Sequence, residues 1–186
     1  MENLLPIKNR HELRNWYLTN AKKEKELWVE VIRKKPKEDG RLYYLDAVEE
    51  AICFGWIDSV FKQVNGKNYQ RFSPRKRNSS WTMLNIERAK RLMELKLMTP
   101  LGKKALPKKL TYKLDDEFIL LLKEYRILTK FKSFPPLYQR IRAYNLNFYK
   151  SLDKDYYEKS LKHFVNETKK GKMYGEWNDY GRLLNY

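Results

Sequence analysis

Apolar residues recur every three to four positions through most of this chain and every second position in only two short stretches, which predicts helices around a small sheet. The stretch "RHELRNWYLTN" (10–20) places Leu13, Trp16 and Tyr17 on one helical face. "ELWVEVIRK" (26–34) alternates Leu27, Val29 and Val31 with Trp28, Glu30 and Ile32. Both sets are largely apolar, so it reads as an interior strand. After the turn "KPKEDGR", residues 44–54 carry Leu45, Val48 and Ile52 beside Ala47, Ala51 and Phe54, and Gly55 supplies a left-handed helix stop.

A hairpin follows in "VFKQV-NG-KNYQRF". The Asn65-Gly66 pair favours a type I′ turn, since both central positions need positive φ. Uninterrupted pairing from that turn sets Val64 against Lys67, Phe61 against Gln70, Val60 against Arg71, Asp58 against Ser73 and Trp56 against Arg75. Side chains alternate along each strand, so Ile57, Phe61 and Phe72 are expected on the core face. Trp56, Asp58, Arg71 and Arg75 are expected together on the other. Asp58 would then lie diagonal to two arginines and orient both.

Downstream, a helix is expected to start at Ser80 or Thr82 and to bury Ile86, Ala89, Leu92, Met93 and Leu97. Asn85 and Arg88 then share its polar flank. From Pro100 the pattern is helical throughout: 100–106, 114–125, a segment opening at Pro136, and 153–172 with Leu161, Phe164, Val165 and Thr168 in phase. The tail from Met173 is aromatic but broken by Gly175 and Gly181, and is expected to pack as an irregular segment. The fold class is α+β: a small antiparallel sheet (strand 26–34 plus hairpin 56–64/67–74) packed with helices, then a helical C-terminal half. The expected division is an α+β core over 1–110 and a helical region over 111–186.

Charge sharpens this picture. The 186 residues carry a net +17, and 11 of those charges fall between Lys67 and Leu110, where Lys and Arg are opposed only by Glu87 and Glu94. Such a segment attracts phosphates, acidic partners or nucleic acid. The acids Asp46, Glu49 and Glu50 read as a solvated helix face. A lone Cys53 on an apolar helix fits a reduced, buried thiol, and the N-terminus lacks a leader pattern, so a cytoplasmic location is expected. His11 and His163 are far apart and offer no zinc spacing with one cysteine, and none of the Gly-Lys pairs completes a phosphate-binding loop. Neither metal nor cofactor is expected.

The site these residues suggest is lined by cations and aromatics. Arg71 and Arg75 would contact an anion, Asp58 would hold them, and Trp56 and Trp81 would form walls. Ser80 at the helix start, with Asn85 and Arg88, would close the pocket.

The segments "DAVEEAICFGWIDS" (46–59), "QRFSPRKRNSSWTMLNIERAKRL" (70–92) and "MTPLGKKAL" (98–106) resemble the YdeI/OmpD-associated family, whose members carry the name bacteriocin-protection proteins. The resemblance maps that family's motif onto Glu49, Gly55, Trp56, Asp58, Arg71, Pro74, Arg75, Ser80, Trp81, Asn85 and Arg88. It implies an α+β fold, no established reaction and a link to tolerance of bacteriocins or antimicrobial stress; it weakens from Pro107 onward.

Three functional expectations follow. The first is a tolerance protein that binds a small anionic or phosphorylated ligand. The second is an enzyme with Asp58 or Glu49 as general acid/base, disfavoured because nearby cations lower a carboxylate's proton affinity. The third is nonspecific nucleic-acid binding by the basic segment, with strong salt dependence.

Overall fold

The computed structural model describes residues 4–184 and 186. Its elements, in order, are β1 (Leu4–Leu5), α1 (Arg10–Asn20), β2 (Leu27–Glu30), α2 (Tyr44–Cys53), β3 (Trp56–Val64), β4 (Lys67–Pro74), α3 (Met83–Glu94), α4 (Pro100–Ala105), α5 (Asp116–Glu124), α6 (Leu128–Lys132), α7 (Pro136–Leu152) and α8 (Lys154–Lys169). A 3-10 turn, Asp179–Gly181, ends the series. The class is α+β, with its helical elements concentrated in the C-terminal half. Two compact units divide the chain: the described residues up to Ser80 with Arg88–Lys108 and Tyr186, and Trp81–Glu87 with the described residues from Lys109 on.

In the first unit the strands run in the order β1-β2-β4-β3. β2 is interior, as its two apolar faces require, and pairs antiparallel with β4. β1 pairs with β2 in parallel, so the sheet is mixed rather than wholly antiparallel. Two residues offer no periodicity to read, which is why this strand escaped the pattern.

The hairpin begins as its turn dictates. Asn65 and Gly66 both take positive φ, and Val64, Gln63, Lys62 and Phe61 face Lys67, Asn68, Tyr69 and Gln70. A β-bulge then interrupts β3 between Asp58 and Phe61, after which Asp58 faces Phe72, Ile57 faces Ser73 and Trp56 faces Pro74. One extra residue moves everything beyond it to the opposite face. Trp56 and Asp58 therefore join buried Phe72 and Leu27, while Ile57 turns to the side of Arg71 and Ser73. The bulge is held by buried Gln70, whose amide donates to the Val60 carbonyl at 3.1 Å and accepts from Arg33 at 3.2 Å.

The core side of the sheet meets an aromatic cluster. Tyr17 of α1 stacks on Phe54 at 5.2 Å and meets Trp56 edge-on at 5.2 Å, with Trp16 also edge-on to Trp56 at 5.7 Å. Such contacts add about 0.5–1.5 kcal/mol each beyond the area they bury.

Between α1, α2 and the first-unit part of α3 lies a buried ion network. Arg10 bonds Glu49 and Glu50, both at 2.7 Å; Arg14 bonds Glu50 at 2.9 Å; Arg91 bonds Glu49 at 2.8 Å. Asp46 stands 3.5 Å from Arg10. The acids are not the solvated face expected of them: Glu49 and Glu50 are fully buried. Their burial is tolerable because arginines from two other helices meet them. Cys53 ends α2 beside this network, and burial, reinforced by the Glu50 carboxylate, pushes its thiol up to about 12.

The second unit is helical. Phe118, Phe131 and Phe164 from α5, α6 and α8 pack ring against ring at 5.5–6.0 Å. Asp115 and Asp153 cap α5 and α8 by accepting from Phe118 and Tyr156 amides. α7 opens on Pro136, and the irregular tail seats Trp177 on Tyr138 at 5.4 Å. Among the described residues no helix is long and apolar enough to cross a membrane.

Replacing Glu49 with Gln leaves Arg10 and Arg91 facing a neutral amide, and should cost about 3–5 kcal/mol in chemical denaturation, the range for breaking a buried pair. Cys53 gives an independent measure. Because its folded-state value lies above that of an open thiol, stability should be fully kept below about pH 8.5 and fall as the pH rises toward 12. Native protein at pH 8 should resist a disulfide-exchange dye that modifies the unfolded chain within minutes.

Candidate functional site

A concavity of the first unit forms where α2 ends. Gly55 has φ +74°, a conformation that L side chains rarely adopt, and lets the chain turn from α2 into β3. Its carbonyl accepts the Arg75 amide at 2.9 Å, which ties the end of β4 to the same spot. α4 packs down here at close range. A Cβ on Gly102 would stand 2.3 Å from the Cys53 carbonyl, and one on Gly55 would stand 2.9 Å from the Leu101 carbonyl. Thr99, the cap of α4, fixes the approach by donating its hydroxyl to the Cys53 carbonyl at 2.6 Å.

The result is a cavity of about 630 Å³ with an apolar floor that includes Phe54, Trp56, Pro74 and Leu101. Arg75, Lys76, Arg77 and Lys104 also line it, and among the described residues no acid does. Burial lowers the Arg75 guanidinium to about 10, and the nearby Asp58 carboxylate opposes that shift only in part. It stays charged at neutral pH while bearing a desolvation cost, a state that an added anion would relieve. Its Nη1 donates to the Ser80 carbonyl at 3.2 Å, which holds the guanidinium in place.

The expected site residues are only partly brought together. Trp56 and Arg75 both line the cavity, but Trp56 forms floor rather than wall: it is buried, and its indole N–H donates to the Ala21 carbonyl at 3.2 Å. Ser80 joins through its carbonyl. Asp58 accepts from the Tyr44 hydroxyl at 2.8 Å and influences Arg75 electrostatically. Burial, together with Asp58, pushes that tyrosine hydroxyl well up, and Arg88 acts on it in the opposite sense.

Arg71 is elsewhere. The bulge puts it on the sheet face opposite Asp58, where its Nε donates to Glu26 at 2.6 Å. A single carboxylate orienting two guanidinium groups therefore does not form. Trp81 and Asn85 belong to the second unit, where the Trp81 carbonyl accepts the Tyr144 hydroxyl at 3.0 Å and the Asn85 amide donates to the Thr82 hydroxyl at 3.2 Å. Thr82, not Ser80, thus caps α3. Glu49, a candidate acid/base, has both oxygens engaged by arginines and does not line the cavity.

Lys76, Arg77 and Lys104 were not singled out from the sequence. The first two lie in the cation run beyond Pro74, a usable signal, whereas Lys104 is placed only by the packing of α4 on Gly55. Among the described residues no cluster of His, Cys, Asp and Glu has the makings of a metal site.

A family model described as a domain of unknown function, DUF8412, matches residues 5–105, more than half of the chain. The chain belongs to this family. The matched stretch runs from β1 to the end of α4, so the DUF8412 region contains the sheet and nearly all of the cationic cavity. No curated protein and no solved structure matches the chain. The resemblance to the YdeI/OmpD-associated family is corrected by this finding, since the family model that matches is DUF8412. The expected link to bacteriocin tolerance came from that resemblance and goes no further.

Gly102→Ala should destabilise the first unit by about 1–3 kcal/mol, the usual cost of forcing atoms into a packed contact, because the Cys53 carbonyl is backbone and cannot swing away. A thermal melt of the variant beside the parent checks this; because Gly102 lies in a helix at negative φ, no left-handed strain adds to the contact.

Proposed function

We propose that the first unit binds a small phosphorylated or carboxylated ligand in the cavity beside Gly55. The observation that carries this reading is the lining itself: among the described residues, four cations and no acid around an apolar floor, with the Arg75 guanidinium partly desolvated there. Charge-assisted bonds from guanidinium and ammonium groups suit phosphate oxygens, and the apolar floor suits an uncharged remainder of the ligand. Binding rather than proton-transfer chemistry fits the site, because Glu49 is locked in ion pairs and the Asp58 carboxylate is occupied by Tyr44.

Isothermal titration with inorganic pyrophosphate tests the reading. Each charge-assisted contact is worth about 1.5–3 kcal/mol, so Arg75→Gln and Lys104→Gln should each weaken binding roughly tenfold or more. The melting temperature should move little, since Arg75 contributes a desolvation cost as well as a contact. Equal affinity in the parent and both variants would remove the proposal. A short single-stranded oligonucleotide gives the contrast: tight binding that collapses with salt and ignores both variants would point to the diffuse basic surface instead.

A further inference from the structure

The second unit carries a largely polar slot along the solvent-facing flank of the α7–α8 hairpin, beside a buried seam that includes Ile141, Leu146, Phe164 and Val165. α7 presents Arg142, Asn145, Leu146 and Tyr149 to it, spaced i, i+3, i+4 and i+7. α8 presents Tyr156, Lys159, Ser160 and His163 with the same spacing. The slot encloses about 330 Å³, within the roughly 300–1,000 Å³ range of small-molecule sites.

Its two ends differ. At one, Tyr149 and Tyr156 meet with ring centroids 4.4 Å apart. At the other, Tyr174 lies between Arg142, 4.1 Å from its centroid, and the His163 ring, at 4.4 Å. Seven helical residues, about 10 Å, separate the tyrosine end from the cation end.

The cation end is built with some care. The Arg142 guanidinium also stands 5.2 Å from the Tyr138 ring, and it donates to the Tyr174 carbonyl. Its Nε is shielded from solvent and has no hydrogen-bond partner among the described residues. Gly175, at φ +70°, makes room for it: a Cβ there would lie 2.7 Å from Arg142 Nη2. Lys159 supplies a second cation, Asn145 and Ser160 supply neutral donors, and among the described residues no carboxylate lines the slot.

We infer that this slot binds a planar aromatic anion, its ring against Tyr149 and Tyr156 and its phosphate or carboxylate toward Arg142, Lys159 and Ser160. Tyrosine faces stack on flat rings, while a preformed guanidinium fixes the anion with little loss of side-chain freedom. Neither half of such a ligand fills the slot, so ring and anion are needed together.

The test is isothermal titration of the full chain with AMP and with 1-naphthyl phosphate, beside adenosine and inorganic phosphate alone. At least one ring-bearing phosphate should saturate a single site, with adenosine and phosphate each at least tenfold weaker. Lys159→Gln, at an exposed position, and Gly175→Ala, which displaces Arg142 without altering a lining residue, should each weaken that binding fivefold or more. Arg75→Gln should leave it unchanged, which separates this slot from the first-unit cavity. The inference fails if neither aromatic phosphate binds, if phosphate alone binds as tightly, if both slot variants bind like the parent, or if Arg75→Gln is the variant that loses binding.

Discussion

The first unit is organised by a charge problem inside it. Helix α2 carries Asp46, Glu49 and Glu50 on a face that packing buries, and isolated carboxylates there would be prohibitively costly. Arg10 and Arg14 from α1 and Arg91 from α3 resolve it by converging on the same three acids. Such a network stabilises little relative to a well-packed apolar one, yet it admits few alternative arrangements, since sliding any helix by a turn strands a charge. The position of α2 is set in this way, and with it the place where α2 stops.

That stopping place is where the cationic cavity forms. Gly55 reverses the chain, β4 returns to its carbonyl through the Arg75 amide, and Gly102 lets α4 lie against the Cys53 carbonyl. Two segments distant in sequence, residues 75–77 and α4, thereby deliver Arg75, Lys76, Arg77 and Lys104 to one rim. The two glycines serve different ends: one supplies a backbone angle, the other a close approach.

The bulge in β3 decides which residues can share a site. Uninterrupted pairing would have gathered Asp58, Arg71 and Arg75 on one side of the hairpin. The inserted residue sends Trp56 and Asp58 to the core face and leaves Arg71 with Glu26 on the other. Burying Trp56 against Tyr17 and Trp16 accompanies this shift, and Gln70 bonds the Val60 carbonyl within the bulge. In the second unit the slot lies instead on the solvent-facing flank of the α7–α8 hairpin, outside its apolar seam.

Local patterns were sufficient for the α+β class, the helices other than the short α6, the interior character of β2 and the turn at Asn65-Gly66, because each is dictated by spacing within about a dozen residues. The basic character of the stretch around Arg75 was legible for the same reason. Other features depended on partners far along the chain. The acids of α2 looked solvated because arginines at positions 10, 14 and 91 are invisible to a helical wheel, and Lys104 had no local mark. Register beyond the bulge was equally hidden, since one extra residue depends on what the core will bury and what Gln70 can bond. Periodicity names the faces of each element; only tertiary packing decides which faces meet, because burial and charge pairing are settled between elements rather than within them.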